Sequence, residues 1–347
     1  MFLCNPQALL LFALFCLTTT CGVAAQYPTR PRAPGVAFRL TSDYGVAAMY
    51  LKDGTSVPVA QVQGSPGYQA FMRSSATSAP TQGSKLCQYF TPILDRVEPV
   101  LGLNRKSCLN ADVANVAAVL ATLKAAVESY LGTNICFAAL NLDTLDPGKT
   151  DIAQKALGSI HLRQTHITAR AAQSAVQAHK PDQQPGFIGE PEVTEEPLYM
   201  LAVDHSLHWF NVGLFKLDEG TVDPIEDFVN SPQIVETGQV GGIKDALNHF
   251  FANPPAGVKL PEQLHQVVVY GDDAKNEELR QLLTELLGVD QVRAAYFSSS
   301  VFDGVNHTAY AAHVRMDDVQ FEMRVLAPPG CKWRSKLYSN DERTTEL

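Results

Sequence analysis

Apolar residues recur at three- and four-residue intervals over residues 111–130, and this spacing predicts the longest helix of the chain. Gly132 follows this segment and is a typical helix stop signal. A second amphipathic helix is predicted over residues 277–287, where Gly288 ends the pattern. Shorter helices are predicted over residues 149–157, 167–177 and 241–251.

Apolar runs that are rich in β-branched and aromatic residues predict strands between these helices. Residues 36–50 and 57–62 are predicted to form a hairpin, because the intervening Lys52-Asp53-Gly54 is typical of a tight turn. The other predicted strands are residues 135–142, 198–203, 209–217 and 264–270. Strands and helices alternate in both halves of the chain, and this alternation indicates an α/β fold.

A proline-rich connection divides this pattern into two lobes. Residues 181–197 hold four prolines, two glycines and several acids, which is typical of a surface connection. We therefore expect a signal peptide, an extended leader, lobe I, lobe II and a C-terminal tail. These parts span residues 1–25, 26–34, 35–197, 198–315 and 316–347.

The N-terminal segment has the features of a secretory signal. An apolar run over residues 8–17 precedes Val23-Ala24-Ala25, whose small residues suit signal peptidase. An uncleaved anchor is the alternative, but about 10 apolar residues are too few for a bilayer that needs about 20. The sequence therefore predicts a secreted protein whose mature chain has no membrane span.

The charge balance is acidic, with 36 acidic and 27 basic residues and a formal net charge of −9. The chain has no long run of Lys or Arg, so nucleic acid and anionic membranes are disfavoured as partners.

The cysteines suit an oxidising compartment, since an even number remains after the predicted cleavage. Cys87 and Cys108 flank one local segment and are the preferred disulfide. Cys136 lies in an apolar run that is typical of a buried thiol, and the states of Cys136 and Cys331 are left open. Asn306 begins the only N-glycosylation sequon, whose use requires that it be exposed.

Residues 36–50, 203–215 and 267–288 carry a resemblance to a known superfamily, in this order along the chain. Together they resemble the actin-like ATPases, and specifically the ATPase domain of DnaK-type heat-shock chaperones. The resemblance covers residues 35–315. It implies a two-lobed, ribonuclease H-like fold, and the short stretch from Gly242 to Val267 implies reduced peripheral subdomains.

The first hairpin of that family reads D-L-G-T-T, in which an acid organises magnesium and the following residues cradle phosphate. The matching positions here are Arg39, Leu40, Thr41, Ser42 and Asp43. Arg39 replaces the acid, and Thr41 replaces a glycine whose freedom a phosphate-binding nest requires. Asp43 adds a negative charge where phosphate would lie, so these changes oppose ATP binding.

The second hairpin of the family reads D-L-G-G-G-T-F-D-V and matches residues 204–212. Asp204 keeps the leading acid. The three glycines and the second acid are replaced, by Ser206, Leu207, His208 and Asn211. Trp209 and Leu207 are therefore expected to fill the space that phosphate and water occupy in active relatives, so that the two lobes close on each other.

The adenosine-type motif of the family is also incomplete, because its strand ends here in Gly271-Asp272 rather than in two glycines. If a nucleotide is bound, the resemblance implies that it contacts Asp43, Asp204, Gly241, Gly242, Gly271 and Asp272.

Two clusters have alternative interpretations. Asp204, His205 and His208 suit part of a transition-metal site, but a strand–turn–strand segment would point them in different directions. Asp272 and Asp273 follow a strand, where ligands bind in α/β folds, and they equally suit the N-cap of the next helix.

The sequence thus favours a secreted, degenerate actin-like or DnaK-type ATPase fold that acts as a non-catalytic binding or scaffolding protein, without a cofactor and with a protein partner. The alternative is an ATP-binding or ATP-hydrolysing protein with a rearranged nucleotide site, for which ATP and magnesium would be the cofactors.

Overall fold

The structure is a computed structural model that describes residues 33–74, 110–180, 197–318 (without 219, 230–231, 236–237 and 299), 321, 326–328 and 331. Within these residues, twelve strands and eight helices form an α/β fold with two mixed sheets. The predicted α/β class is confirmed. The predicted signal peptide and the predicted Cys87–Cys108 bridge lie outside the described residues.

The first sheet has the strand order β3-β2-β1-β4-β5, and β6 also pairs with β4. Its strands are β1 (Gly35–Leu40), β2 (Tyr44–Tyr50), β3 (Ser56–Gln63), β4 (Phe137–Leu142), β5 (Arg163–Gln164) and β6 (Ala169–Arg170). β1, β2 and β3 form an antiparallel meander, while β4 is parallel to β1 and to β5. The helices of this half are α1 (Pro66–Arg73), α2 (Ala111–Leu131), α3 (Pro147–Ser159) and α4 (Ala171–Ala178).

The second sheet repeats this arrangement. Its strands are β7 (Leu198–His205), β8 (Trp209–Asp218), β9 (Thr221–Val229), β10 (Gln233–Ile234), β11 (Leu264–Tyr270) and β12 (Tyr296–Phe297). β8 pairs antiparallel with β7, β9 and β10, and β11 is parallel to β7 and to β12. The helices are α5 (Gln239–Ala252), α6 (Glu277–Leu287), α7 (Val289–Ala294) and α8 (Asp303–Asp317). The order β9-β8-β7-β11-β12 thus corresponds to β3-β2-β1-β4-β5.

Local sequence signals account for the ends of the two most regular helices. The Asn110 side chain accepts the amide N–H of Asp112 at the start of α2, and Gly132 ends this helix in the left-handed region with φ of 67°. In α6 the Asn276 side chain caps the first turn, and Gly288 follows the last turn. The predicted helices over residues 111–130 and 277–287 are therefore confirmed.

Each sheet is covered on both faces. One face of the first sheet packs on α1, α2 and α3, and one face of the second sheet packs on α5 and α6. The other two faces pack on the remaining long helices. Ala37, Val46 and Ala139 of the first sheet contact α8, whereas Met200 and Ala202 of the second sheet contact α4.

Helices α4 and α8 also pack on each other, so they join the two sheets into one body. Helix α4, the last helix of the first half, covers the second sheet. Helix α8, the last helix of the second half, covers the first sheet. Small residues permit this close packing, because a Cβ on Gly304 would lie 3.2 Å from the backbone nitrogen of Ala175. A Cβ on Gly35 would lie 2.6 Å from the backbone nitrogen of His313, so β1 lies directly against α8.

No helix within the described part of the chain is both long and apolar enough to cross a membrane. The sequon lies inside α8, where the side-chain oxygen of Asn306 and the whole of Thr308 are buried. Glycosylation at Asn306 would therefore have to precede folding, and it stays a prediction.

A disulfide joins Cys136, just before β4, to Cys331. Both residues are buried beside Ala33, Phe137 and Met316. The sequence left the states of Cys136 and Cys331 open. The structure shows that Cys136 is buried, as its apolar run predicts, and that it is bonded to a cysteine 195 positions away, a pairing that local spacing does not specify. The bridge fastens Cys331 to the residue that precedes β4 of the first sheet.

Replacing Cys331 by serine should lower the melting temperature, because a bridge across so long a loop stabilises a protein by about 2–5 kcal/mol. Differential scanning calorimetry checks this. Cys136→Ser and the double variant should match the single Cys331→Ser variant, and a further loss in the double variant would contradict the pairing.

Candidate functional site

Two turns closed by equivalent backbone hydrogen bonds face each other between the sheets. The first turn joins β1 to β2, and its Thr41 N–H donates to the Tyr44 carbonyl at 2.9 Å. The second turn joins β7 to β8, and its Ser206 N–H donates to the Trp209 carbonyl at 3.0 Å. Because the two sheets repeat one strand order, these turns occupy equivalent places in the two halves.

Three pairs of equivalent residues meet where the turns face each other. Arg39 Nη2 donates to Asp204 Oδ2 at 2.9 Å, across 165 positions of sequence. The rings of Tyr44 and Trp209, related by the same offset, have centroids 5.8 Å apart. In the third pair, Asp43 Oδ2 lies 4.0 Å from His208 Nε2. The two turns therefore contact each other through complementary side chains along an approximate internal two-fold axis.

The centre of this contact is a buried ion cluster of Arg39, Asp143 and Asp204. Arg39 Nε and Nη2 donate to Asp143 Oδ1 at 3.0 and 2.9 Å, and the same Nη2 also donates to Asp204. The three residues are only 3%, 5% and 1% exposed. Asp143 follows β4 in the first sheet and Asp204 lies on β7 in the second, so one guanidinium joins both halves.

The cluster holds two carboxylates for one guanidinium, and this imbalance shapes its protonation. Burial opposes the charge of Arg39, but Asp143 and Asp204 raise its pKa well above the ordinary value. Burial raises the pKa of Asp204 to about 7, against the opposing effect of Arg39. Burial also raises the pKa of Asp143. Arg39 therefore stays charged, while burial favours the protonated form of both carboxyl groups.

Aromatic side chains enclose the cluster. The Arg39 Cζ atom lies 5.3 Å from the centre of the Tyr270 ring, a cation–π contact. Trp209 is fully buried against residues of the first sheet, and its Nε1–H points to Asp204 Oδ2 at 3.4 Å. The expectation that Trp209 fills the space between the lobes agrees with this packing.

Leu207 does not fill that space, and this part of the expectation was wrong. Its side chain is 59% exposed. The backbone is held in place, because its N–H donates to Asp272 Oδ1 at 2.8 Å and its carbonyl accepts from Gln239 Nε2 at 2.6 Å. These bonds fix the tip of the turn with the leucine side chain directed to solvent.

Except for Gly241, the remaining candidate nucleotide contacts have structural roles of their own. Asp43 pairs with Arg73 of α1. Gly271 has φ of 116°, and a Cβ there would lie 2.6 Å from Asp204 Oδ1, so glycine permits close packing at this point. Gly242 lies in the first turn of α5, where any Cβ would clash with the ring of Phe210. At Gly241, by contrast, a Cβ would point into open space.

The three residues considered for a transition metal point to different partners. His205 Nδ1 lies 2.8 Å from the Asp273 carbonyl, whereas Asp204 faces Arg39 and His208 faces Asp43. Among the described residues, no cluster of His, Cys, Asp and Glu is arranged to hold a metal ion. The cap of α6 is Asn276, so the N-cap interpretation of Asp272 and Asp273 was also wrong.

Sequence reasoning missed Asp143 and Tyr44. A usable signal existed for Asp143, because it directly follows a buried strand that is parallel to β1, and ligand groups gather at the carboxyl ends of parallel strands. Tyr44 carried no such signal. Its role depends on the opposite turn, which lies in the other half of the chain.

Comparisons with known proteins assign no family. No protein-family model matches the chain, and no curated protein matches it significantly. The geometry of the two turns and of the buried cluster therefore carries the functional interpretation.

The raised pKa of Asp204 predicts that the protein becomes less stable as the pH rises. An unfolded aspartate has a pKa near 3.9, so between about pH 4 and 7 the folded state binds more protons than the unfolded state. This stabilisation is lost as the pH rises through about 7. Asp204→Asn should remove most of the difference in melting temperature between pH 5.5 and 8.5. Asp151→Asn, at an exposed position, should leave it unchanged, and equal pH profiles for Asp204→Asn and wild type would contradict the assignment.

Trp209→Ala should reduce the free energy of unfolding by about 3–5 kcal/mol, as expected for a large buried aromatic side chain. Leu207→Ala, two positions away, should change it by less than about 0.5 kcal/mol because the side chain is exposed. Urea denaturation of both variants measures the contrast. Similar losses in the two variants would show that Trp209 does not fill the space between the lobes.

Proposed function

We propose that the chain has a degenerate actin-like ATPase fold of the DnaK type and acts as a non-catalytic binding or scaffolding protein. Three features support this proposal. The two sheets repeat one strand order, their equivalent β-hairpins face each other, and the sequence of these hairpins resembles the phosphate-binding hairpins of that superfamily.

The single observation that carries the proposal is the position of the Arg39 guanidinium between Asp143 and Asp204. The resemblance implies a magnesium-organising acid at residue 39 and a magnesium nucleotide beside it. Here a fixed positive charge contacts both carboxylates at 2.9 Å. A divalent cation at the same place would meet electrostatic repulsion in a buried, weakly screened site. The residues present therefore do not fit magnesium.

The phosphate-binding capacity of both turns is also used internally. The Thr41 hydroxyl oxygen accepts the N–H groups of Asp43 and Tyr44 at 3.2 and 3.0 Å. In the second turn, the Leu207 N–H donates to the Asp272 carboxylate. Backbone amides that would cradle a phosphate thus already have acceptors, and Asp43 and Asp272 would repel a phosphate anion.

A scaffolding role is supported by the side-chain contacts that lie where a nucleotide would join the two lobes. In a nucleotide-driven protein the ligand stabilises one arrangement of the lobes, and its release permits another. Here the groups that join the two turns are side chains of the protein itself, which cannot be released as a ligand can. The two lobes would then present one fixed surface to a partner, without a cycle of binding and release.

Export is part of the same proposal. The apolar run over residues 8–17 and the small residues before position 26 suit a cleaved signal. The buried Cys136–Cys331 disulfide supports an oxidising compartment, where such bridges persist.

A ligand that binds the native state must raise the melting temperature. If the protein does not bind nucleotide, 5 mM ATP and MgCl₂ should therefore raise its melting temperature by less than about 1 °C. Titration calorimetry should likewise detect no binding. Magnesium-dependent ATP binding in the micromolar range that is lost in Asp204→Ala would overturn the proposal. That result would favour the alternative, an ATP-binding or ATP-hydrolysing protein with a rearranged site.

A further inference from the structure

The cluster around Arg39 has more buried acids than bases. Asp143 and Asp204 both accept hydrogen bonds from Arg39 Nη2 at 2.9 Å, although they belong to different sheets. When both acids are ionised, the three side chains together carry an excess negative charge. A buried charge without a partner is costly, and carboxyl groups that share one site usually keep a proton for this reason.

The hydrogen bonds of the two carboxyl groups are unequal. Asp204 Oδ1 accepts a hydrogen bond from Ser206 Oγ at 2.8 Å. Asp204 Oδ2 accepts one from Arg39 Nη2 and faces Trp209 Nε1 at 3.4 Å. Asp143 Oδ1 accepts two bonds from Arg39, whereas Asp143 Oδ2 is buried and has no hydrogen-bond partner within the described part of the protein. The excess charge thus meets no donor at this oxygen, which favours a proton on the pair.

The aromatic groups around the pair do not exchange protons with it in the neutral range. Burial raises the pKa of Tyr44, Tyr68 and Tyr270, so these three hydroxyl groups stay protonated. Asp272, which follows β11, adds its negative charge to the effect of burial in raising the pKa of Asp143. These surroundings increase the tendency of the pair to keep a proton.

The basic groups near the pair have acceptors of their own. Lys149 of α3 donates to a backbone carbonyl of α1 at 2.7 Å, and Arg73 pairs with Asp43. His205 Nδ1 lies 2.8 Å from a backbone carbonyl in the loop that follows β11. Histidine is the side chain that most often changes its charge near neutral pH. His208, which faces Asp43 across the turns, is therefore the rival that an experiment must exclude.

We propose that Asp143 and Asp204 together retain one proton, and that this proton locks the two turns, and with them the two halves, against each other. Its loss to solvent leaves an uncompensated negative charge between the sheets, which is relieved when the turns part and water reaches the pair. The inference rests on the proposed function, because it adds regulation by pH to a fixed arrangement of the lobes. Alkaline conditions would then loosen the surface that a partner binds.

Trp209 reports on this lock, because it is fully buried between the turns and packs on Tyr44. Trp333, the other tryptophan of the chain, is replaced by phenylalanine in the reference protein and in every variant. Quenching of Trp209 fluorescence by acrylamide should rise at least about two-fold between about pH 5.5 and 8.5, because the population with parted turns increases. Far-ultraviolet circular dichroism should stay the same. A parallel loss of this signal would mean global unfolding and would overturn the proposal.

Two variants test whether the pair is the source of the response. Asp204→Asn and Asp143→Asn each replace one acid by a neutral side chain of similar shape, so no excess charge remains at any pH in this range. Quenching in each variant should stay at the low level that the reference protein shows in acid. If Asp143→Asn does not fold, Asp204→Asn alone decides, and an equal rise in Asp204→Asn and the reference protein contradicts the lock.

His208→Asn removes the rival titratable contact between the turns and should keep the rise in quenching. Loss of the rise in this variant would assign the response to the contact between Asp43 and His208 and would overturn the proposal. A missing pH response leaves the proposed function intact, since the protein would still not bind ATP. Conversely, ATP binding would overturn the proposed function whatever the quenching shows.

Discussion

The contact of one guanidinium with two buried carboxylates is the interaction on which the rest of this structure depends. Arg39 and Asp143 belong to the first sheet, and Asp204 belongs to the second. Arg39 is the partner of both acids, so its removal would leave buried carboxylates uncompensated, and breaking a buried ion pair in this way typically destabilises a protein by about 3–5 kcal/mol. The stability of each half therefore depends on the two halves staying in contact at this cluster.

The neighbouring contacts are arranged around this cluster. Trp209 covers Asp204 and packs on Tyr44, and the ring of Tyr270 lies over Arg39. These aromatic groups exclude water, which strengthens the attraction between the charges. Gly271 then allows its loop to approach the Asp204 carboxylate closely. Burial, aromatic packing and the glycine thus all serve to hold three charges in one place.

The repeated strand order gives this arrangement its symmetry. Equivalent residues meet their own counterparts across the internal axis, as in an isologous interface between two subunits. The counterparts are different residues that form complementary pairs, namely Arg39 with Asp204, Tyr44 with Trp209 and Asp43 with His208. Each of the helices α4 and α8 covers the sheet of the other half. The two halves are therefore joined both at the turns and through these two helices.

The sequence by itself determined most of the elements and their order. Local periodicity and end signals fixed α2 and α6, since helix formation and capping depend on residues a few positions apart. Apolar runs likewise predicted β4, β7, β8 and β11, whereas the nine-residue β9, which contains Pro224 and three acids, was not predicted. Short elements such as β10 and α7 escaped, because two to six residues carry too little pattern.

Only the tertiary structure decided what the candidate site is. Arg39 lies 104 positions from Asp143 and 165 from Asp204, and no local pattern specifies contacts across such distances. The same holds for the bond between Cys136 and Cys331. The sequence marked Arg39 as a replaced acid and Trp209 as a bulky substitute for small residues. It did not show that the guanidinium itself binds the two acids, because side-chain partners between sheets are set by how the sheets pack.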